Sequence, residues 1–295
     1  MITILGDQLR AVSGILLTNR FHLFFLPVIL TAFWNQSMHL SLDWQYYIMI
    51  TASVVASYVF NQITDRDEDA VNYDAKGHFF ASQRVAVSIC IGASVLGIGL
   101  ALRAGWGFFV YSFTINILIN LYSMPMPWST RPGLSRIKQY RYIKNVFAAL
   151  CWSVPLLVTP HVYVGSLPQW PQLLAMIVVT FGFDYLSELL WDVRDTEGDL
   201  KAQVKTIANT HSTQVVHWIA RAIIAITSVT YLMALVSNVL AEPQGWLFLA
   251  AWTPYSWLFV DRYLKSDSQL TLSHRFVILQ AVIALGALVV QLVVG

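Results

Sequence analysis

The sequence predicts an all-α integral membrane protein that crosses the bilayer nine times. Three observations carry that expectation. Apolar residues make up 57% of the 295 residues and charged residues only 12%, about half the charged share of a soluble domain. Nine stretches approach the ~20 apolar residues a helix needs to cross a bilayer core. The basic residues also sort to one side once those stretches are taken as spans. So little charge excludes a soluble enzyme and a disordered chain. The only cysteines, Cys90 and Cys151, sit inside apolar runs and read as packing residues, which excludes a disulfide scaffold.

The expected spans are about 21–38, 45–63, 85–102, 105–123, 144–162, 171–191, 222–240, 244–260 and 275–294, the eighth being short. No Gly/Ser linker or low-complexity segment interrupts them. Residues 1–295 therefore read as one transmembrane domain, with caps at about 64–84 and 192–215. The first ten residues hold no cationic segment leading into an apolar one, so no cleaved signal peptide is expected.

Nine spans put the two termini on opposite faces. All but Arg103 of the 18 Lys and Arg residues then lie on the N-terminal face. By the positive-inside rule that face is cytoplasmic. Trp34, Trp44, Trp106, Trp170 and Trp246 fall at the opposite ends of spans, where interface anchors are expected.

Ten of the 16 acidic residues lie in two short windows on the cytoplasmic side. The first follows span two and contains Asn61, Asp65 and Asp69 at intervals of four. On a continuous helix these stack on one face, about 6 Å per step. The second closes span six and contains Glu188, Asp192, Asp195 and Asp199 at intervals of four, three and four, again one helical face. Carboxylates this dense repel unless cations neutralise them. Mg²⁺ takes one or two carboxylates and completes its shell with substrate phosphate oxygens. The implied ligand is a diphosphate bridged by Mg²⁺, with Asn61, Asp65, Asp69, Asp195 and Asp199 as the metal-binding set. Lys138 and Lys144, in the basic loop between spans four and five, and Lys205, after the second acidic window, are placed to meet a diphosphate leaving group.

These residues resemble the UbiA superfamily of intramembrane prenyltransferases. Asn61, Asp65 and Asp69 resemble the family motif after the second helix, and Asp192-Val-Arg-Asp195-Thr-Glu-Gly-Asp199 the motif after the sixth. Glu188 matches a glutamate often seen four residues before that motif. Tyr122-Ser123 ahead of a basic loop and Lys205-Thr206 also fit. Gln62, Ser187 and Gln203 depart from the pattern without removing a main metal ligand. The resemblance implies nine helices around a central cavity with both Asp motifs at its cytoplasmic rim. It implies Mg²⁺ as cofactor and a prenyl diphosphate as substrate. Catalytic groups would be Lys138, Lys144, Lys205, Asp192 and Glu188; substrate-binding groups would be Asn61, Arg136, Arg141, Asp184 and Tyr122.

The expected reaction is ionisation of the diphosphate to an allylic cation, captured by a hydrophobic or aromatic acceptor within the membrane lipid. Capture by the substrate's own double bonds, as in UbiA-type terpene cyclases, is the alternative. A non-catalytic transporter using an intramembrane acid such as Asp184 is a third reading. It fits less well, because the acids gather at one face. No nucleic-acid partner is expected.

Overall fold

A computed structural model describes residues 22–66, 71, 82–124, 136–140, 142–240, 243–266 and 269–294. Among these are eleven α-helices and no strand. In chain order they are α1 (His22–Met38), α2 (Trp44–Thr64), α3 (Gln83–Ala104), α4 (Trp106–Leu121), α5 (Ile143–Val164), α6 (Trp170–Arg194), α7 (Thr196–Lys201), α8 (Ile207–Thr210), α9 (Thr213–Val236), α10 (Pro243–Tyr263) and α11 (Gln269–Val294). A 3-10 turn, Ile137–Gln139, precedes α5.

Six of the helices, α2, α3, α5, α6, α9 and α11, are long and apolar enough to cross a membrane, and α4 is a shorter apolar helix. The chain is an integral membrane protein. Each of the nine expected spans overlaps one of the long helices, with two shifts. The seventh starts at Thr213, well before the apolar run, and the ninth starts at Gln269. In both, polar residues form the first turns. Arg221 therefore lies on α9, where it pairs with Asp261 of α10 at 2.9 Å.

Local chemistry sets several helix ends. Asp43 caps α2 by accepting the Tyr46 N–H at 3.0 Å, and Tyr163 near the end of α5 donates its hydroxyl to the same carboxylate at 2.8 Å. Gly165 stops α5 at φ 69°, a left-handed conformation that glycine adopts without a Cβ penalty. The chain then reverses into α6.

Helix α6 is the centre of the bundle, with more than half of its apolar window buried. It packs on α5, α9 and α11. Its approach to α9 depends on Gly182: a Cβ there would lie 1.9 Å from Thr227 Oγ1. Small residues allow such close crossings in membranes, where dispersion rather than hydrophobic exclusion holds helices together. The main core is aromatic. Phe183 stacks near Trp252 with ring centres 4.5 Å apart, and Phe33 lies 5.1 Å from Phe248.

Trp34 belongs to this core, which corrects the expectation that it anchors an interface. It is 1% exposed, between Phe33 and Tyr231. Trp44, Trp106, Trp170 and Trp246 are exposed, and the first three begin helices α2, α4 and α6. Trp34 instead lies inside its helix on the face toward α9 and α10, a direction that hydropathy does not reveal. Both cysteines are free.

A ring of contacts closes around the bundle: α1 on α2, α2 on α4, α4 on α5, α5 on α6, α6 on α11 and α11 back on α1. Helix α3 lies against α2 with most of its surface uncovered by protein.

Candidate active site

The ring encloses a cavity of about 250 Å³, walled by α2, α4, α5 and α6, with Pro27 of α1 and His274 of α11 at its edge. The end of α2, the end of α4, the start of α5 and the end of α6 meet at one mouth. Two clusters of charge form there.

The first is built on Asp65. It caps the C-terminus of α2, its N–H donating to the Asn61 carbonyl at 2.9 Å. A helix C-terminus carries partial negative charge, so a carboxylate there needs cations. Lys138 Nζ donates to Asp65 Oδ1 at 2.6 Å and Arg136 Nη1 to the same oxygen at 3.2 Å. The 3-10 turn that carries Lys138 is pinned at both sides. The Lys138 N–H donates to the Tyr122 carbonyl at 3.4 Å, and Gln139 Nε2 to the Ala202 carbonyl at 3.2 Å. Ser123 donates its hydroxyl to Asn61 Oδ1, tying the segment after α4 to the end of α2.

The second is built on Lys144, the second residue of α5. Its place at a positive helix terminus is offset by two carboxylates. Nζ lies 2.8 Å from Asp192 Oδ1, and 2.9 and 2.7 Å from the two oxygens of Asp199. Asn145 Nδ2 donates to Asp192 Oδ2 at 2.8 Å. Both carboxylates are buried. Burial pushes the Asp199 carboxyl up to about 7, against the downward pull of Lys144. Asp195 lines the same cavity but is gripped by Arg194, Nε to Oδ1 at 2.7 Å and Nη2 to Oδ2 at 2.5 Å. A third Arg194 bond, 3.2 Å to Ser273 Oγ, links this pair to α11.

This arrangement corrects the two single-helix stripes. Helix α2 stops at Thr64, so Asp65 is a cap and not a residue of a continuing helix; Asp69 lies outside the described residues. The second stripe breaks at Asp195, which ends α6 and begins α7 with φ −95° and ψ 13°. The break separates the carboxylates. Asp192 and Asp199 converge on Lys144, while Asp195 faces Arg194. Among the described residues, no three His, Cys, Asp or Glu side chains form a ready metal cage.

Of the other expected site residues, Tyr122 and Glu188 line the cavity. Tyr122 is stacked on Phe147 with ring centres 5.6 Å apart. Arg136 reaches the site through its contact with Asp65. Asp184 lies one turn below Glu188 on α6, outside the cavity lining, with Oδ2 buried and unpaired. Lys205 is exposed and does not line the cavity; its neighbours Val204 and Thr206 take the buried positions of that segment. Arg141 lies outside the described residues. Arg194 and Asn145 were not singled out from the sequence, and Ser123 was noted only as part of the Tyr122-Ser123 resemblance. Arg194 reads there as one more cytoplasmic cation, although its place directly before Asp195 was visible.

The donors fit Mg²⁺ bound with a diphosphate. They are hard oxygen ligands, they surround one cavity mouth, and Asp65, Asp192, Asp195 and Asp199 are each held by Lys or Arg. Because Mg²⁺ takes much of its shell from phosphate and water, a complete protein cage is not required.

Fold and site define an intramembrane helical bundle whose acidic and basic residues guard the mouth of a largely apolar chamber. The chain belongs to the UbiA prenyltransferase family, whose family model matches residues 24–289, and is an enzyme of the prenyltransferase type. Solved structures agree on the fold. A UbiA homologue from Aeropyrum pernix K1 is similar with TM-score 0.65 at 11% identity, over 92% of this chain and 98% of that one. A UbiA homologue from Archaeoglobus fulgidus, bound to GPP and Mg²⁺, gives 0.60 at 16%, over 93% and 99%. A digeranylgeranylglyceryl phosphate synthase structure gives 0.59 at 14%, over 95% and 97%. No curated protein sequence matches the chain.

Proposed function

We propose that the protein transfers a prenyl group from a prenyl diphosphate to an acceptor inside the membrane, with Mg²⁺ as cofactor. The observation that carries this reading is Lys138, Lys144, Asp65, Asp192, Asp195 and Asp199 gathered at the mouth of one intramembrane cavity. Asn61, Asp65, Asp69, Asp195 and Asp199 would hold the metal. When bound, Mg²⁺ stabilises negative charge on the departing pyrophosphate.

The chain's own residues do the rest. Lys138 and Lys144 supply fixed positive charge at the rim, where the allylic C–O bond breaks and its electrons leave with pyrophosphate. Asn145 and Asp192 fix the ammonium of Lys144. Below the rim, Met49, Ile50, Val54, Pro155 and Leu156 give the isoprenoid tail apolar contacts. Tyr58 and Trp152 add ring faces that stabilise an allylic cation. The chamber excludes bulk water, so the acceptor outcompetes it for the cation.

Purified protein in lipid nanodiscs, given Mg²⁺ and C10, C15 or C20 prenyl diphosphate, is expected to release pyrophosphate. With an electron-rich aromatic acceptor, it is expected to form an adduct heavier by one prenyl group. No pyrophosphate from any of the three chain lengths would refute the reading. A cyclic hydrocarbon formed without acceptor would replace transfer by cyclisation.

All nine long helices span the membrane in this reading, with the N-terminus and the site in the cytoplasm. A cysteine at Leu167, a 94% exposed position between α5 and α6, is then expected to react with an impermeant maleimide only from the outer face. Labelling from the cytoplasmic face would invert the topology.

A further inference from the structure

One wall of the cavity is more polar than an isoprenoid chain requires. Helix α4 turns Phe113, Ile117 and Leu118 outward, where they are exposed. It turns Ser112, Asn116 and Asn120 toward the cavity, a polar residue at every fourth position. Asn120 Nδ2 donates to the Asn116 carbonyl at 2.7 Å and to Ser57 Oγ of α2 at 3.3 Å. Asn116 Nδ2 donates to the Ser112 carbonyl at 2.8 Å. Ser57 lies one turn below Asn61, so the polar wall starts directly beneath the diphosphate rim. A hydroxyl pair, Tyr111 and Thr159 at 3.2 Å, closes its deep end.

Helix packing accounts for this wall only at Asn120, which bonds Ser57 of α2. The one side-chain bond made by Asn116 goes to its own helix. A polar side chain in a membrane interior is costly unless something uses it. Both amide nitrogens donate to the protein, Asn120 Nδ2 twice and Asn116 Nδ2 once, and among the described residues neither Oδ1 accepts a bond. The wall therefore presents two carbonyl oxygens as acceptors, on residues about 6 Å apart along the helix axis, beside the one N–H that Asn116 leaves over.

We propose that Asn116 and Asn120 form the subsite for the prenyl acceptor, and that the acceptor presents two hydroxyl or N–H donors one helical turn apart. That spacing matches substituents on opposite sides of a six-membered ring. The inference rests on the transfer reading above and extends it to what the acceptor must carry. The tail takes the apolar wall, the acceptor takes the polar wall, and both meet beneath Asn61. A site built to accept hydrogen bonds rejects analogues that lack the donor, because its own polar groups are left unpaired.

The test is equilibrium dialysis of labelled hydroquinone, catechol and 1,4-dimethoxybenzene against the protein in nanodiscs, with empty nanodiscs as the blank. Hydroquinone is expected to bind at least tenfold more tightly than either of the others. Asn116→Leu and Asn120→Leu are each expected to weaken hydroquinone at least tenfold without weakening 1,4-dimethoxybenzene. Equal binding of hydroquinone and its dimethyl ether by the wild type would overturn the subsite, as would wild-type hydroquinone binding in Asn116→Leu. Equal binding of catechol would overturn the spacing. The wild-type comparison decides the matter if a variant does not fold. Pyrophosphate release from geranyl diphosphate is read separately. Its absence would remove the transfer reading, whereas release without hydroquinone selectivity would remove only the subsite.

Discussion

Asp199→Asn and Asp195→Asn are each expected to lower Mg²⁺-dependent pyrophosphate release at least a hundredfold, and EDTA is expected to do the same to the wild type. The two residues occupy different electrostatic surroundings. Asp199 is 5% exposed and held by Lys144, whereas Asp195 is gripped by its chain neighbour Arg194. If their importance were structural, Asp199→Asn would lower the melting temperature more, since it removes half of the buried charge balancing Lys144. Asp195→Asn would then be close to silent. If both carboxylates hold metal and diphosphate, activity falls alike in both, even where stability differs. Losing one preorganised charge contact to a leaving group costs about 3 kcal/mol, roughly a hundredfold in rate. Full pyrophosphate release in EDTA, measured on protein that remains folded, would sink the metal assignment.

Much of this was legible in the sequence because the bilayer imposes a strong rule. A helix must be long and apolar to cross, and cations stay on one side. The nine runs, each overlapping a long helix, follow from the first part of that rule, and the sorting of cations remains an expectation of the second. The acidic windows were legible because ten carboxylates have no place in two short stretches of a membrane protein without a counter-charge. What spacing could not give was where each helix stops. Neither Asp65 nor Asp195 is followed by Pro or Gly at the break, so intervals of three and four looked continuous. The partners of the acids were also hidden. Lys138 and Lys144 are far from Asp65 and Asp199 in sequence, and only the ring of helices brings them to 2.6 and 2.7 Å. Facing was the third gap. Trp34 and Asn116 both sit inside apolar runs, and hydropathy cannot say whether such a residue meets lipid, core or cavity. Gly182 shows the same limit: only the 1.9 Å clash with Thr227 reveals why no side chain fits there.

Lys144→Ala is expected to reduce turnover of every accepted prenyl diphosphate about a hundredfold, whatever acceptor is supplied. Arg131→Ala is expected to leave turnover near wild type. Arg131 lies outside the described residues; the sequence puts it before Pro132-Gly133 in a stretch expected to stay in water, where a screened surface charge is worth roughly 0–1 kcal/mol. The structure adds a second readout for Lys144. Its ammonium is the shared counter-ion of Asp192 and Asp199, whose side chains are 1% and 7% exposed. Removing one partner from a buried ion pair costs about 3–5 kcal/mol, because the remaining charge is left uncompensated. Without Mg²⁺, the alanine variant should therefore melt well below the wild type. Mg²⁺ should restore much of that loss, since a divalent cation replaces the missing positive charge. The wild type, in which Lys144 competes with the metal for the same oxygens, should gain less from Mg²⁺. A variant that melts low and is not rescued by Mg²⁺ would make Lys144 a structural strut. A variant that turns over like Arg131→Ala would remove its role at the leaving group.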